Sequence, residues 1–534
     1  MRKAVCIALV LVFAFSLAAA ACTAPAATES DAPSGAPSGG GGGGVEGQTD
    51  SSDEDLFAEK IVFKWMLSTQ NSNPFAETKL YQIMTEKFNI DFEFTELTPN
   101  QHIEQVNLKL ASRQLPDIIT FVDAAVANQY GPEGAFINLD SYLDRMPNLA
   151  EQLRISEPFK YYAYTLQNEL WFAPSFYSEP IPIFDFSYNK AAFAEVGVTD
   201  LSTWDNIYNG LKLIKEKNPQ SYQVGFRGGQ NGFFSYNLLI ASFSEGKCNN
   251  SMIGFDYDTD QFVFAPAYSG FKDAIAFFAK LYTEGLIDPE YTYMDQGILV
   301  RKVRDGNVVL MADFIGGWTG YPSIMKDVNE VLSPLPIPIA PGKRQTLGPQ
   351  PSTLGNRGTT LSAELEANPA KLDRALRWLD WMYSQEEFDS YWHHPDVCDM
   401  VDGKPVYHDI IYDTDDPDRG NVMNIYFPWS MLCFRDKPDG LARPGSEYDY
   451  YVIDVLKGKP ELYSVSPVVP FNVDQQEAIN RLLSAIEDRF NSEIYDFMEG
   501  KRPMSEYDDF TDRLNAAGGT ELIKIYNDQY AAIK

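Results

Sequence analysis

Residues 60–123 read KIVFKWMLSTQNSNPFAETKLYQIMTEKFNIDFEFTELTPNQHIEQVNLKLASRQLPDIITFVD, and strand-like and helix-like patterns alternate along them. The apolar runs Lys60–Leu67 and Leu115–Val122 predict two strands. Between them, Ile90, Phe92 and Phe94 alternate with polar residues, which indicates a third strand. Strands that alternate with helices of 10–15 residues are typical of a parallel α/β sheet.

Helical patterns separate these strands. A helix is predicted from about Ala76 to Phe88, and Asn100 can cap a second helix whose apolar face carries Ile103, Val106 and Leu110. In parallel α/β sheets, ligands bind beyond the carboxyl ends of the strands. The loop 68–73 and Asp123 are expected at such ends, so they mark a candidate binding edge.

The alternation continues through the rest of the chain. Further strands are predicted at 181–188, 222–226 and 307–314, and helices at 204–217, 271–284 and 372–383. The C-terminal region predicts three helices near 474–499, 504–517 and 519–532. The last of these regions therefore reads as a helical extension of an α/β body.

Composition and charge exclude several classes of protein. Of 534 residues, 44% are hydrophobic and 22% are charged, as in soluble globular proteins and unlike disordered chains or multi-span membrane proteins. The net charge is −32, so we expect no nucleic-acid partner, because such partners need a basic surface. Aromatic residues reach 13%, which suggests an aromatic-lined site.

The N-terminus predicts export. Residues 1–21 have a basic start, an apolar run and small residues, as in a signal peptide, and the small residues directly before Cys22 resemble a bacterial lipobox. Residues 22–57 are rich in Ala, Pro, Ser and Gly and predict a flexible, lipid-anchored linker. We expect attachment to the outer face of the cell membrane through this anchor alone; free secretion or a periplasmic location remains the alternative.

Few cysteines remain beyond Cys22. They are Cys248, Cys398 and Cys433, which is too few for a disulfide framework. A bridge between Cys398 and Cys433 is open from the sequence.

Four segments resemble extracellular solute-binding protein family 1, the sugar-type receptors of ATP-driven importers. These are LPDIITF followed by GAFINLDSYL within Leu115–Leu143, SYNKAAFAEVGVTDLSTWDNIYNGLKL at Ser187–Leu213, YTEGLIDPEY at Tyr282–Tyr291 and DGNVVLMADFIGGW at Asp305–Trp318. The resemblance spans about residues 58–392, and the tail from 395 onward looks like the long lipoprotein branch of the family.

The resemblance implies a two-lobe, type II periplasmic-binding-protein-like α/β fold with crossing hinge strands. On this basis we assign 58–182 plus about 305–360 to an N-terminal lobe, and 183–304 plus about 361–534 to a C-terminal lobe with the helical extension. It implies a monomeric receptor, without a cofactor, that captures an oligosaccharide between the lobes and delivers it to ABC permease subunits. A secreted sugar-processing enzyme with paired carboxylates, or a sugar-binding sensor or adhesin, remains an alternative.

Aromatic rings and hydroxyl-binding groups are the expected site residues, because sugars combine apolar faces with hydroxyl edges. Trp318 lies where the resemblance places the family's "G.W" loop and is the first stacking candidate, with Trp65 and Trp171 as further ones. For Trp318 the alternative is an indole that caps the core. Asp123 is the candidate hydroxyl acceptor, or else a helix cap.

Polar residues of three loops complete the prediction. Gln70, Asn71 and Asn73 can bind hydroxyls or form an Asx turn. Asn189 matches the "YN" of the family's crossing segment and is a further ligand candidate, or else it caps the next helix. Arg227 and Asn231 lie in a Gly-rich loop and are either ligand contacts or solvated.

The sequence also contains three candidate metal sites. Asp256, Asp258 and Asp260 alternate as in a calcium loop, but their strand-like flanks favour a hairpin turn. A second acidic loop supplies the calcium candidates Asp413, Asp415 and Asp418. A zinc cluster can be drawn from His393, His394, His408 and Asp396, although adjacent histidines do not easily face one ion.

Overall fold

The computed structural model describes residues 58–69, 73–177, 184–226, 236–249, 251–314, 331–348, 352–401, 404–411, 413, 416–427 and 450–534, all within one compact unit, Asp53–Lys534. The strands are β1 Ile61–Ser68, β2 Ile90–Leu97, β3 Ile118–Asp123, β4 Ala173–Phe176, β5 Phe184–Tyr188, β6 Val224–Phe226, β7 Ile253–Asp256, β8 Gln261–Phe264, β9 Leu310–Phe314, β10 Ser333–Leu335, β11 Leu354–Leu361, β12 Cys398–Val401 and β13 Lys404–Tyr407.

The α-helices surround these strands. They are α1 Lys79–Phe88, α2 Pro99–Ser112, α3 Ala124–Tyr130, α4 Pro147–Ile155, α5 Lys190–Glu195, α6 Trp204–Lys217, α7 Asn237–Phe243, α8 Ser269–Thr283, α9 Gln296–Arg304, α10 Pro369–Trp381, α11 Gln385–Tyr391, α12 Arg419–Tyr426, α13 Val473–Met498, α14 Tyr507–Leu514 and α15 Thr520–Ile533.

The first sheet has the order β2-β1-β3-β11-β4. Strands β1, β2 and β3 are parallel, which confirms the expected α/β pattern, and β11 runs antiparallel between β3 and β4. One apolar core around this sheet extends from Phe63 to Tyr391 and includes Trp378 of α10. We call the first lobe residues 58–177 together with 352–427.

Helix α2 differs from its prediction in where it begins and in which face is buried. It begins after Thr98, which forms a capping box with Gln101, and not at Asn100. Its buried face carries His102, Val106 and Leu110, whereas Ile103 is 40% exposed. The buried stripe therefore starts one residue earlier than hydrophobicity alone indicated, because a histidine occupies a core position.

The second sheet has the order β10-β5-β9-β6, with β6 and β9 parallel and β5 antiparallel to β9. Alternate residues of β9 enter different cores: Ala312 packs with α8 and the C-terminal helices, whereas Met311 packs with α9 and with residues 451–456. Both faces of this sheet are thus covered. We call the second lobe residues 184–348 together with 450–534.

Strand pairing moves the expected lobe boundaries. Strands β9 and β10, which the sequence segmentation placed with the N-terminal lobe, pair with β5 in the second sheet. Conversely, α10 packs in the core of the first lobe. The pairing of β10 with β5 joins residues far apart in the sequence, and local patterns do not encode such long-range partners.

The helical extension completes the second lobe. Helix α13 buries Ile479, Ile486, Phe490 and Ile494 in the core that also contains α8, as its apolar stripe predicted. Helices α14 and α15 add Phe510 and Leu522 to the same core. Among the described residues, no helix has both the length and the apolar character needed to cross a membrane.

Candidate functional site

The carboxyl edge of the first sheet gathers residues from distant parts of the chain. Strands β1 and β3 are parallel, so Ser68 and Asp123 end at the same edge. Strand β11 runs the other way and places Arg357 directly beside Asp123. In open α/β sheets, this is the edge at which ligands bind.

Asp123 and Arg357 form an ion pair at this edge. The Arg357 Nε–H donates to Asp123 Oδ1 at 2.7 Å, and the side chains are 36% and 35% exposed. Asp123 precedes α3, but its side chain makes no capping hydrogen bond. The carboxylate therefore pairs with a guanidinium and does not cap the helix. Its role as a hydroxyl acceptor stays a prediction.

An aromatic ring supports the pair. The Arg357 guanidinium lies 4.2 Å from the ring centroid of Phe121, a cation–π contact. Phe121 has a φ of +61°, a left-handed conformation that is strained for a bulky residue. Sequence reasoning missed Phe121 and Arg357; the available signal for Phe121 was its position two residues before Asp123, on the same side of the strand.

A buried histidine lies beneath this ring. The ring of His102 contacts that of Phe121 at a centroid distance of 6.2 Å and an angle of 68°. His102 is fully buried against the backbone of β1 and β3, and burial lowers the pKa of its imidazole from 6.5 to about 4. The neutral imidazole therefore belongs to the support of the edge and not to its surface.

The loop that follows β1 is held by β2. Asn73, which is half-buried, is followed by Pro74 and a short helical turn whose first N–H, from Phe75, donates to Glu96 Oε1 at 3.1 Å. Burial raises the pKa of the Glu96 carboxyl. Glu96 therefore fixes this loop beside the carboxyl end of β2.

The second sheet also has a carboxyl edge. Strands β6 and β9 are parallel and adjacent, and they end at Phe226 and Phe314. The predicted ligand residues Arg227, Asn231 and Trp318 follow these two strand ends in the sequence, but they lie outside the described residues. They stay predictions.

A family model named bacterial extracellular solute-binding protein matches residues 73–387, which is more than half of the chain. This chain belongs to the bacterial extracellular solute-binding proteins. No match is found among curated protein sequences.

Solved structures show the same fold for this solute-binding protein. An extracellular solute-binding protein from Bifidobacterium longum subsp. infantis has a TM-score of 0.73 at 17% identity, covering 90% of this chain and 99% of its own. The alginate-binding protein AlgQ2 has a TM-score of 0.71 at 16% identity, with 89% and 99% covered. The Streptococcus pneumoniae binding protein FusA, in complex with kestose, has a TM-score of 0.69 at 17% identity, with 89% and 100% covered. The chain thus has the type II periplasmic-binding-protein-like fold with a C-terminal helical extension.

Two predicted stacking residues of the solute-binding protein lie away from the edge. Trp65 is fully buried within β1 and packs edge-on against Trp378 at 5.2 Å, so its face is not available to a ligand. Trp171 precedes β4 and lies toward the amino end of β3, where its Nε1–H donates to Glu169 at 3.2 Å. Trp65 is therefore a core residue, and Trp171 is a partly buried ring at the end of the sheet away from the proposed edge.

Asn189 also lies at the other end of its sheet. It follows β5, whose last residue pairs with Leu310 at the start of β9, opposite the carboxyl edge. Its Oδ1 accepts the backbone N–H of Ala192 at 2.9 Å and so caps α5. The capping alternative holds for this residue.

The second lobe contains a pair of carboxyl groups. Asp185 of β5 faces Asp313 of β9, and they are 3% and 4% exposed. The Tyr451 hydroxyl donates to Asp185 Oδ2, and Oδ1 accepts the N–H of Phe186 at 2.7 Å. Burial raises the pKa of Asp185 well above its usual range. A pair this deeply buried is not placed to protonate a glycosidic oxygen of a bound sugar.

The acidic loops have protein partners. In the β7–β8 hairpin, which confirms the predicted turn, Lys247 Nζ lies 3.0 Å from Asp256 and 2.5 Å from Asp258. In the second loop, Asp418 donates its backbone N–H to Asp416 at 2.8 Å, and the calcium candidate Asp413 is described while Asp415 is not. Within the described part of the chain, no three His, Cys, Asp or Glu side chains converge as metal ligands.

The three histidines of the zinc reading separate onto different carboxylates. His393 lies 3.3 Å from Asp389, His394 lies 3.5 Å from Asp396, and His408 lies 3.3 Å from Asp399. Each ring thus contacts a different carboxylate, and the described residues do not bring the three together as ligands of one ion.

Several residues named in the sequence predictions lie outside the described residues. These are Gln70 and Asn71, the lipidation candidate Cys22, the calcium candidate Asp415 and Cys433. Cys398 is buried. Its pairing with Cys433, like the anchor, stays a prediction.

Proposed function

We propose that this chain is the carbohydrate receptor of an ABC importer. It captures an oligosaccharide between its two lobes outside the cell and delivers it unchanged to permease subunits. The observation that carries the proposal is the carboxyl edge of the first sheet, where an acceptor, a donor and an aromatic ring meet in Asp123, Arg357 and Phe121.

These groups match the chemistry of a sugar. Hydroxyl groups donate to a carboxylate and accept from a guanidinium, and such charge-assisted hydrogen bonds are stronger than neutral ones. Apolar sugar faces pack on aromatic rings. A ligand stabilises a closed two-lobe state only if it contacts both lobes, so the second-lobe edge beyond Phe226 and Phe314 is the proposed opposite wall.

Solved relatives of the fold point to the same ligand class. They include an alginate-binding protein, a binding protein in complex with fructo-nystose and with kestose, and an HMO-binding solute-binding protein associated with an ABC transporter. By analogy, we place this receptor as a monomer on the outer face of the cell membrane, anchored through Cys22. Replacing Cys22 by Ala should release the protein into the medium; an unchanged membrane fraction argues against the anchor.

A thermal-shift and calorimetry screen against oligosaccharides tests the function. Binding at a concentration 100 times Kd adds about 2.7 kcal/mol to the stability of the native state. We expect saturable stabilisation by the sugar, and intact sugar on chromatography afterwards. The affinity for the sugar should be at least tenfold weaker in Arg357→Ala. Shorter products favour the enzyme alternative, and a screen without any stabilisation rejects a carbohydrate receptor.

The ion pair at the opposite end of β3 supplies a matched control. Lys371 Nζ lies 2.7 Å from Asp117, which directly precedes this strand at its amino end. Asp117→Asn therefore changes an ion pair of the same strand at the end away from the proposed site. It should leave the affinity for the sugar unchanged.

A further inference from the structure

We infer that the first-lobe edge is specific for uncharged carbohydrate, because Asp123 neutralises the guanidinium of Arg357 at the place where a ligand would meet it. The inference rests on the proposed function and adds the class of sugar. It follows from the charges and from the hydrogen-bonding groups that the pair leaves over.

The geometry of the pair determines what remains for a ligand. A guanidinium carries five N–H groups, and Asp123 takes the one on Nε. Within the described part of the chain, no other hydrogen bond is made by the two Nη groups or by Asp123 Oδ2. The edge therefore offers donors and an acceptor side by side, which suits neighbouring hydroxyl groups, since each hydroxyl can donate and accept.

The same geometry removes the attraction for an anion. Opposite charges 2.7 Å apart act on a nearby carboxylate with opposing forces that largely cancel. Glu96 lies near the carboxyl end of β2, on the far side of β1 from β3, and adds further acidic character to this edge of the sheet. An acidic sugar would thus lose water at this edge without gaining an unopposed cation.

The ring beneath Arg357 keeps the pair in this arrangement. Phe121 has a strained backbone that persists because its surroundings hold it, and it places its ring 4.2 Å from the guanidinium. Arg357 is thereby fixed by both a carboxylate and an aromatic face. Both contacts favour this position of Arg357 beside Asp123, so a ligand that meets the guanidinium also meets the carboxylate.

Matched pairs of neutral and acidic probes test the inference. The probes are mannotriose with trimannuronate and galactotriose with trigalacturonate, alongside the oligosaccharide screen, measured by calorimetry. We expect the wild type to bind neutral sugars at least tenfold tighter than uronates. In Asp123→Asn, which frees the charge of Arg357, neutral binding should weaken about tenfold and uronate binding should strengthen about tenfold, shifting the ratio about 100-fold.

Controls keep the result decisive. Asp117→Asn should keep the wild-type ratio, and circular dichroism checks that each variant is folded. If Asp123→Asn does not fold, Arg357→Gln and the salt dependence of the wild type decide. Binding of the preferred sugar should not change between 50 and 500 mM salt, a range over which the Debye length shortens about threefold. Affinity that falls with salt overturns the inference.

The failure of the inference differs from failure of the proposed function. Wild-type protein that binds uronates more tightly than neutral sugars, or an Asp123→Asn ratio equal to that of the wild type, overturns the specificity and leaves the receptor standing. Wild-type protein that binds no sugar of either kind overturns both.

Discussion

In the first lobe, Asp123 is paired with Arg357 and about a third of each side chain is exposed, whereas in the second lobe Asp185 faces another acid, Asp313, and both are almost completely buried. Asp123 and Asp185 both lie near the carboxyl edge of their sheet. The residue type and position are similar, so the neighbours and the burial determine what each carboxyl group does.

Burial also separates the titratable groups that stand behind these two edges. In the first lobe, a fully buried base, His102, supports the ring of Phe121, and its pKa is lowered. In the second lobe, the buried acid Asp185 accepts from Tyr451, and its pKa is raised. Each group is held in its neutral form, so the two lobes should respond to pH in opposite directions.

The largest expected effect is the loss of stability in acid through His102. The unfolded chain takes up a proton near pH 6.5, whereas the native imidazole does so only near a pKa of about 4. Stability is therefore complete above pH 6.5 and is lost as the pH falls, by about 3 kcal/mol at most. Urea denaturation from pH 7 to 4 measures this loss, and His102→Gln should remove it.

A surface histidine provides the control for this measurement. His408 is partly exposed on the β12–β13 hairpin, and His408→Gln should leave the acid-dependent loss in place. An equal loss in His102→Gln and in the wild type would contradict the role of His102.

The next effect concerns Asp185. Replacing it by Ala removes the oxygens that accept from Tyr451 and from the Phe186 N–H, and should cost about 2 kcal/mol of unfolding free energy. Asp185→Asn keeps the shape and one acceptor and should cost less. Urea denaturation of both variants at neutral pH measures the difference; equal costs would argue that shape and one retained acceptor contribute nothing, and that Asp185 acts through both of its carboxyl oxygens.

The sign of the pH effect distinguishes Asp185 from His102. Above its usual pKa of 3.8 the carboxyl ionises in the unfolded chain, while the native state retains its proton. Stability from this group therefore falls as the pH rises, until the raised native pKa is passed. Asp185→Asn should lose less stability than the wild type as the pH rises above 3.8, which the same denaturation series extended to pH 9 measures.

The local patterns of the sequence predicted strands β1, β2, β3, β5, β6 and β9, with Asp123 at the end of β3, and helix α6. These features depend on neighbours within one turn or one strand. Arg357 and Phe121 were missed for a physical reason: Arg357 reaches Asp123 across 234 residues, and the strained φ of Phe121 leaves no trace in residue type.

Long-range pairing also explains the misplaced residues. The side chains of Trp65 and Asn189 are of types that can bind a sugar. Trp65, however, is buried within β1, and the antiparallel direction of β5 places Asn189 at the end of the sheet opposite its carboxyl edge. Residue type predicts which groups can bind a sugar. Strand direction, which the sequence does not state, determines which of them share an edge.

The smallest expected effect on stability is that of Asp123→Ala, and it sharpens the comparison most. Exposed ion pairs contribute at most about 1 kcal/mol, so this variant should unfold within about 1 kcal/mol of the wild type. Its sugar affinity should nevertheless fall at least tenfold, because a charge-assisted acceptor is lost from the site. Asp185→Ala should show the reverse, with reduced stability and nearly unchanged affinity, because its carboxyl is out of reach of a ligand. Calorimetry and urea denaturation on the two variants test this difference. If both variants lose affinity and stability in the same proportion, the first-lobe ion pair is structural, and the proposal that Asp123 serves binding while Asp185 serves stability is wrong.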